Sequence, residues 1–330
     1  MEVPPIRELV DLPEVWERMG RVETRLFEAS VATDNPFLTE ISQHLLAAGG
    51  KRLRPLLAQI GALLGPDRDH GPIEAGVAVE LVHAGSLYHD DVIDEGDTRH
   101  GVPSANVNWS NTVAILAGDF LLARASEVAA PLGEEAVALV ARTYATLCEG
   151  QALELQLADD ITHGPDDYLR VIAGKTASLI RTSARLGAMT AGADADAVEA
   201  ISEWAFETGL VFQMTDDVLD LVATEEYLGK PAGSDIDEGV FTLPVLYALA
   251  NDEELRAVLT TGHPYTDDAR RFVVNRVVEG GHVDTVLDEA TERLRRAEKA
   301  SQRLGSVEVR DLLTRFDRYL MTRVEAARER

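Results

Sequence analysis

Apolar residues recur along almost the whole chain at intervals of three and four positions, the spacing of one face of an α-helix. In the segment LPEVWERMGRVETRLFEASV, for example, Val15, Met19, Val22 and Leu26 follow this spacing. No run of alternating β-branched residues competes with the helical pattern. The pattern predicts further helices over about residues 36–48, 51–65, 73–95, 104–130, 134–158, 165–190, 194–223, 237–250, 265–279, 283–304 and 307–327.

Short stretches rich in glycine, proline and aspartate separate these helices, as such residues do where regular structure ends. They are GPDRDHGP at 65–72, GDTRHGVP at 96–103, THGPDD at 162–167 and LGKPAGSD at 228–235. None of them is a long Pro/Gly/Ser linker that would divide the chain. We therefore predict an all-α fold with about ten or more helices, in a single domain over residues 1–330.

The excess of acidic residues restricts the kinds of molecule that the protein is expected to bind. Aspartate and glutamate total 57 against 31 lysines and arginines, so the formal net charge is -26. This argues against nucleic acid and anionic membranes, which both attract basic surfaces. Cys148 is the only cysteine, which excludes an intrachain disulfide and favours a reducing interior. No run of about 18 apolar residues predicts a membrane span. We expect a cytoplasmic protein.

Two acidic motifs share the spacing D-D-x-x-D, one in LYHDDVIDEGDTRHG and one in FQMTDDVLDLV. Aspartates four positions apart lie on one helix face, where like charges repel unless a cation compensates them. Oxygen ligands without histidine or cysteine suit Mg²⁺, which is usually shared with substrate phosphates. One such motif is equally well a solvated helix end, but two in apolar sequence favour metal. The aspartates are Asp90, Asp91 and Asp94, and Asp216, Asp217 and Asp220.

Basic residues occur close to these motifs and at turns. A glycine pair precedes Lys51 and Arg54 at a predicted helix start, an arrangement that suits phosphate. His83 lies seven residues before Asp90 and so on nearly the same helix face. Taken singly, each is more often a surface charge or a core histidine. The others are Arg99 after the first motif, Lys175 and Thr176 in AGKTASLIR, and Lys230 in the loop after the second motif.

Over nearly its whole length the chain resembles the trans-polyprenyl diphosphate synthases. The segments that carry the resemblance are GGKRLRP, ELVHAGSLYHDDVIDEGDTRHG, AGDFLLARA, GKTASLI, GLVFQMTDDVLD and GKPAGSDIDEGVFTLP. The resemblance implies a homodimeric bundle of long helices around a central cavity (the isoprenoid synthase type). It also implies a Mg²⁺-dependent condensation of isopentenyl diphosphate with an allylic diphosphate.

Position by position, the resemblance implies that Asp90, Asp94 and Asp216 hold the metals, with Asp91 and Asp220 in close support. It assigns the allylic diphosphate to Arg99, Lys175, Thr176, Gln213 and Lys230, and isopentenyl diphosphate to Lys51, Arg54 and His83. Two positions depart from the family pattern. His100 stands where the family usually has a second arginine for isopentenyl diphosphate, and Val240 where it often has lysine.

Product length is predicted from the residues four and five positions before Asp90, which are Ser86 and Gly85. In the family, a bulky aromatic residue at one of these positions closes the cavity of enzymes that make short products. The small residues here therefore predict an all-trans product longer than C20. The alternative for Gly85 is that it permits close helix packing.

Other functions fit the motifs less well. The main alternative is a short-chain farnesyl or geranylgeranyl diphosphate synthase. A terpene cyclase is not expected to carry GGKRLRP beside two D-D-x-x-D motifs. A non-catalytic subunit of a heteromeric synthase should have lost aspartates that this chain retains.

Overall fold

The structure, a computed structural model, describes residues 6–31, 34–224 and 231–329. Helices account for most of this part of the chain, and the all-α prediction is confirmed. The α-helices are Ile6–Leu9 (α1), Pro13–Ser30 (α2), Pro36–Ala47 (α3), Leu53–Gly61 (α4), His70–Ile93 (α5), Ala105–Asn108 (α6), Asn111–Ala129 (α7), Glu134–Leu157 (α8), Pro165–Ile172 (α9), Ser178–Thr190 (α10), Ala195–Val222 (α11), Ser234–Asp237 (α12), Leu243–Leu249 (α13), Glu253–Leu259 (α14), Asp267–Glu279 (α15), His282–Ser301 (α16) and Val307–Arg328 (α17).

The boundaries differ from the prediction in a few places. The segment predicted as one helix over 104–130 is two, because Ser110 is extended and its side chain caps α7. The segment 165–190 contains a π-helical turn, Ala173–Ala177, between α9 and α10. A hairpin of two short strands, Thr98–Arg99 (β1) and Val102–Pro103 (β2), lies in a stretch predicted as loop. Helix α14 also lies outside the predicted segments.

Two long helices form the centre of the molecule. Helix α5 packs against α2, α4, α7 and α10, and α11 packs against α10, α16 and α17. Both are apolar on nearly every face, as expected for helices surrounded by others. The largest fully buried side chain, Trp204, comes from α11. The two helices carry the two acidic motifs at their C-terminal ends, so their packing brings the motifs to the same end of the bundle.

No helix within the described part of the chain is long and apolar enough to cross a membrane.

The C-terminal helix α17 is attached to α11 by a buried carboxyl group. Trp204 Nε1 donates to Asp317 Oδ2 over 3.1 Å, and Thr208 Oγ1 donates to Oδ1 over 2.9 Å. Burial raises the pKa of Asp317 to about 7, although these hydrogen bonds oppose the shift. The carboxyl therefore retains its proton in the folded protein at a pH where it is ionised in the unfolded chain.

This shift predicts a measurable dependence of stability on pH. The unfolded carboxyl has a pKa of about 3.9, so between about pH 4 and pH 7 the folded state binds the extra proton. Its stabilising contribution is complete below that window and is lost as the pH rises through it. Asp317→Asn removes the titration, so the loss of unfolding free energy per pH unit should become smaller by up to about 1.4 kcal/mol. Urea unfolding at pH 5, 6 and 7 measures this, with the exposed Asp311→Asn as control. Equal pH slopes for wild type and Asp317→Asn would contradict it.

Candidate active site

A pocket of about 670 Å³ opens where the ends of α5 and α8, the π-helical turn and α11 meet. Four predicted site residues line it, namely Asp94, Lys175, Thr176 and Gln213. The π-helical turn contributes two of them, Lys175 and Thr176. Such turns occur often at functional sites, because the extra residue changes the direction of neighbouring side chains. Sequence periodicity could not show this turn, since it lies inside a continuous helical pattern.

The first acidic motif ends α5, and its charges are only partly compensated. Burial raises the pKa of Asp90 to about 6; Asp94 adds to the shift, while Lys175 and Arg99 oppose it. Burial alone would lower the pKa of Lys175, but Glu154, to which its amine is hydrogen-bonded, and Asp90 and Asp94 raise it. Lys175 therefore stays protonated and positively charged, and it lies between Glu154 and two carboxylates of the motif.

Asp91 has a different role from its neighbours. It is fully buried, and its Oδ1 accepts from Arg99 Nε at 2.8 Å and pairs with Nη2 at 2.6 Å. The hairpin turns at His100 and Gly101, whose φ angles are +52° and +79°. Two positive φ angles in a two-residue loop are typical of tight hairpins, and here they direct Arg99 back to the helix. Asp91 thus positions Arg99, which agrees with the supporting role assigned to it.

A residue that was not predicted from the sequence offsets part of the negative charge of the second acidic motif. Arg323 Nη2 on α17 donates to Asp216 Oδ1 over 2.7 Å. Burial and the nearby Arg323 lower the pKa of Lys51, and Asp216 opposes this, so all three charges are close. One signal was available, because Arg323 continues the apolar stripe of Phe316 and Leu320, where a charged residue is unexpected.

The other aspartates of this motif are tied to the protein. Asp217 accepts from Tyr168 Oη at 2.5 Å and from Gln213 Nε2 at 2.7 Å, and burial raises its pKa to about 7. Gln213 Oε1 in turn accepts from Thr176 Oγ1 at 2.8 Å. This chain of hydrogen bonds orients Thr176 and Gln213 at the pocket. Asp217 was predicted only as a member of its motif, without a role of its own, and Tyr168 was not among the predicted site residues.

Asp220 anchors the loop that follows α11. Its Oδ1 accepts from Ser234 Oγ at 2.6 Å, and its Oδ2 accepts from the Asp235 backbone N–H at 3.4 Å. Asp220 is buried, so it supports the site rather than offering open oxygens to it. The predicted contact Lys230 in this loop lies outside the described residues. Val240, where the family often has lysine, lines the pocket.

The residues predicted for isopentenyl diphosphate also come together. Arg54 lies close enough to Asp90 for the two charges to interact, and its buried Nε has no hydrogen-bond partner among the described residues. Burial lowers the pKa of His83 well below its ordinary value, with Arg54 and His100 adding to the shift. Burial and then Arg99 lower the pKa of His100 as well. An unpaired buried donor is rare in folded proteins, so Arg54 is a good candidate for a ligand contact.

The loop before α4, which carries Lys51 and leads to Arg54, is held in place through Arg52. This residue has a φ angle of +47°, and its guanidinium pairs with Glu23 at 3.0 Å and Glu80 at 3.1 Å. Gly49 and Gly50 also have positive φ angles, which explains why the chain needs two glycines here. Helix α4 consequently begins at Leu53, two residues later than predicted, and Lys51 lies outside the helix.

The donor set fits a hard divalent cation, although it is not preassembled. No three carboxylate, histidine or cysteine side chains among the described residues already converge on one point. Asp94 is exposed, and Asp90 and Asp216 are half-buried, so each retains accessible oxygens. Burial, with Asp94, raises the pKa of Asp90 by more than Lys175 and Arg99 lower it, so a bound cation would favour the ionised carboxylate. Mg²⁺ commonly takes one or two carboxylates and completes its shell with water and phosphate oxygens.

The two residues predicted to set product length differ in their surroundings. A Cβ atom on Gly85 would lie 3.0 Å from Leu122 Cγ and 3.1 Å from the Gly118 carbonyl oxygen, both on α7. Gly85 therefore lies at a close crossing of α5 and α7, as in the packing alternative. A bulky side chain there would first have to displace α7. Ser86 is half-buried, and its hydroxyl donates to the His83 carbonyl oxygen at 2.9 Å within its own helix, so it is the better position to test.

Comparison with known proteins places this chain in a family. The model of the polyprenyl synthetase family matches residues 35–276. The chain is 42% identical to nonaprenyl diphosphate synthase of Mycobacterium tuberculosis over 256 residues, which cover 76% of each chain. It is 33% identical to geranylgeranyl diphosphate synthase of Methanosarcina mazei over 321 residues, 96% of this chain and 98% of that one.

Solved structures agree with the sequence comparison. A polyprenyl synthase from Caulobacter crescentus CB15, complexed with calcium and isoprenyl diphosphate, superposes with a TM-score of 0.89 at 31% identity. That match covers 98% of this chain and 99% of the other. A decaprenyl diphosphate synthase from Rhodobacter capsulatus gives 0.89 at 32% identity, over 97% and 99%. The chain belongs to the polyprenyl synthetase family and is a prenyltransferase.

Proposed function

We propose that the enzyme condenses isopentenyl diphosphate with an allylic diphosphate and releases an all-trans polyprenyl diphosphate longer than C20. The observation that carries this is the pairing of two acidic motifs with two separate groups of cations at one end of the bundle. One group, Lys175 and Arg99, lies beside Asp90. In the other, Lys51 interacts with Asp216, and Arg54 interacts with Asp90. Two diphosphates need two such groups.

The protein's own residues divide the work of the reaction. Asp90, Asp94 and Asp216 would hold Mg²⁺, which when bound offsets negative charge on the departing diphosphate. Lys175 and Arg99 donate to that diphosphate, and Gln213, oriented by its bonds to Thr176 and Asp217, donates its second amide N–H. Positioned charges of this kind stabilise the transition state more than the ground state, because charge develops as the allylic C–O bond breaks.

The second substrate is held by Lys51, Arg54 and His83. Its alkene attacks the allylic carbon, and loss of a proton then restores a double bond in a chain that is five carbons longer. His100 replaces a cation that the family usually has here, and its lowered pKa makes it a neutral hydrogen-bond donor near pH 7. No nucleophilic side chain is required, and Cys148 is exposed on the outer surface of α8.

Release of diphosphate from isopentenyl diphosphate plus farnesyl diphosphate tests this proposal. We expect turnover that needs Mg²⁺ and is abolished by chelation, with products longer than C20 by mass. The nonaprenyl and decaprenyl synthases among the similar proteins support this length. A product that stops at C15 or C20 would instead favour the short-chain alternative. An absence of turnover by the pure protein, with activity only beside a second chain, would favour a heteromeric enzyme.

Arg323 is expected to contribute to turnover through Asp216. Hydrogen bonds to charged groups contribute about 1.5–3 kcal/mol, so Arg323→Gln should lower kcat/KM by roughly 10- to 100-fold. Arg323→Lys should restore part of the loss, because it retains the charge. Arg318→Gln, an exposed arginine on the same helix, is the control. Unchanged kinetics for Arg323→Gln would show that its bond to Asp216 has no catalytic role.

We also propose that the enzyme is a homodimer that pairs through α7 and α8. Ile115, Leu116 and Leu155 are 45%, 50% and 56% exposed on these neighbouring helices, an unusual density of large apolar side chains. Leu116→Glu should therefore give a monomer by light scattering, because it buries a charge in the interface. Val307→Glu, equally apolar and exposed on α17, is the control. A wild-type protein that is monomeric at micromolar concentration would contradict the proposal.

A single domain over residues 1–330 and a cytoplasmic location stay predictions. In support of the first, Leu9 near one terminus and Val324 near the other pack into the same hydrophobic core.

A further inference from the structure

A second cavity, of about 640 Å³, lies between α8 on one side and α9 and α10 on the other. Four of the residues that line it are arginines, and we call it the arginine groove. They are Arg142 on α8, Arg170 on α9, and Arg181 and Arg185 on α10. Acidic residues outnumber basic ones by 57 to 31 in this chain, so four arginines in one cavity are unexpected. The residues assigned to catalysis do not line this groove.

The four guanidinium groups retain most of their hydrogen-bonding capacity. Arg185 Nη1 contacts Glu199 at 2.6 Å, and Arg181 approaches the same carboxylate only to 3.6 Å. Arg170 uses one nitrogen, at 3.2 Å from Asp167. A guanidinium has five N–H donors, so each of these arginines has several left.

Arg142 has no ion pair and no hydrogen bond within the described part of the chain, although it faces three other cations across the groove. Arg181 and Arg185 are four positions apart on one helix, where like charges repel each other. One carboxylate, Glu199, pairs with both of them and so offsets only part of this repulsion. An anionic ligand in the groove would offset the remainder.

The rest of the lining is mixed: Leu139, Leu153 and Phe206 form an apolar part, while Thr146, Ser178 and Glu149 are among its polar members. A ligand that suits the whole groove has a compact anionic group with several acceptor oxygens, and it tolerates an apolar neighbour. Phosphate groups match guanidinium forks in geometry, since both nitrogens of a fork can donate to one phosphate.

We propose that the arginine groove binds a diphosphate group at a site separate from the catalytic pocket. The choice of diphosphate over other anions rests on the proposed function, because that reaction releases it in every cycle. The same chemistry is carried by free diphosphate and by the head of a prenyl diphosphate, whose tail the apolar lining could receive.

The groove and the catalytic pocket share a wall. Gly174 of the π-helical turn lines the groove, and a Cβ on it would lie 3.0 Å from Gly150 Cα on α8. The next two residues, Lys175 and Thr176, line the catalytic pocket. The diphosphate in the groove thus lies one helix away from the cations that bind the allylic substrate.

Equilibrium dialysis without metal and with a chelator tests the proposal, because turnover is then absent. The variant combines Arg142→Ala with Arg181→Ala, and Arg295→Ala, an exposed arginine on α16, is the matched control. One arm uses inorganic diphosphate and the other farnesyl diphosphate. We expect the double variant to bind one equivalent fewer than wild type and control in at least one arm. A loss in both arms identifies the diphosphate alone as the ligand, and a loss only with farnesyl diphosphate shows that the tail is required.

Equal stoichiometry for the double variant and wild type in both arms would overturn the proposal. Melting temperatures and kcat at saturating substrate are measured on the same samples. Both should stay close to wild type, kcat within about twofold, since neither arginine lines the catalytic pocket. If the wild type binds diphosphate in the groove but does not transfer prenyl groups, the proposed function fails while the proposal for the groove stands.

Discussion

Replacing Asp90 with asparagine is expected to lower kcat by about 10²–10³-fold while the protein remains folded. The amide has the shape of the carboxyl but lacks the charge that a divalent cation needs. Burial and Asp94 disfavour ionisation of Asp90, so the neutral residue should leave the melting temperature without ligand unchanged or raised. Steady-state kinetics with varied Mg²⁺, together with thermal unfolding, measure both effects.

Asp97→Asn is the control for this experiment. Asp97 is exposed and follows the first motif by three residues, but it does not line the catalytic pocket. The kcat of the Asp97→Asn variant should match that of wild type. Turnover of Asp90→Asn within a few-fold of wild type would remove the first motif from the metal site.

The largest loss of stability is expected from Gly187→Ala. A Cβ on Gly187 would lie 1.9 Å from the Ala58 carbonyl oxygen, and one on Gly61 would lie 2.2 Å from that of Ala184. Helices α4 and α10 therefore touch through their backbones, which cannot rotate away as a side chain can. Forcing extra atoms into such a contact typically costs about 1–3 kcal/mol, and a backbone clash should reach or exceed that range.

Urea unfolding followed by circular dichroism measures this loss, and Gly20→Ala is the matched control. Gly20 lies inside α2, and a Cβ added to it would have no neighbouring atom within 4 Å. Alanine there should raise the unfolding free energy by up to about 1 kcal/mol, because it favours helix more than glycine does. Because α4 carries Arg54, any folded Gly187→Ala protein should also show a higher KM for isopentenyl diphosphate. A Gly187→Ala protein as stable as wild type would refute the close crossing.

Local patterns in the sequence were sufficient for the class of fold and for naming most of the residues that the structure brings together at the candidate site. The three- and four-residue spacing of apolar positions predicts the long helices, because each must bury one face. The spacing of Asp90 and Asp94, and of Asp216 and Asp220, places each pair on one helix face without knowledge of the rest of the molecule. Lys175 and Arg54 were also recognisable, because they lie in short motifs of their own.

Other features depend on contacts between distant parts of the chain. Arg323 reaches Asp216 from 107 residues away, and no local pattern records which carboxylate a distant arginine will meet. The same holds for Asp91 and Asp220, which share their motifs with more accessible aspartates but are themselves buried and bonded to Arg99 and Ser234. From the sequence, Gly85 was predicted to leave the cavity open, whereas in the fold it lies at a close contact between α5 and α7. Tertiary structure decides these cases because burial, which sets the role of a charged or small residue, is a property of what packs against it.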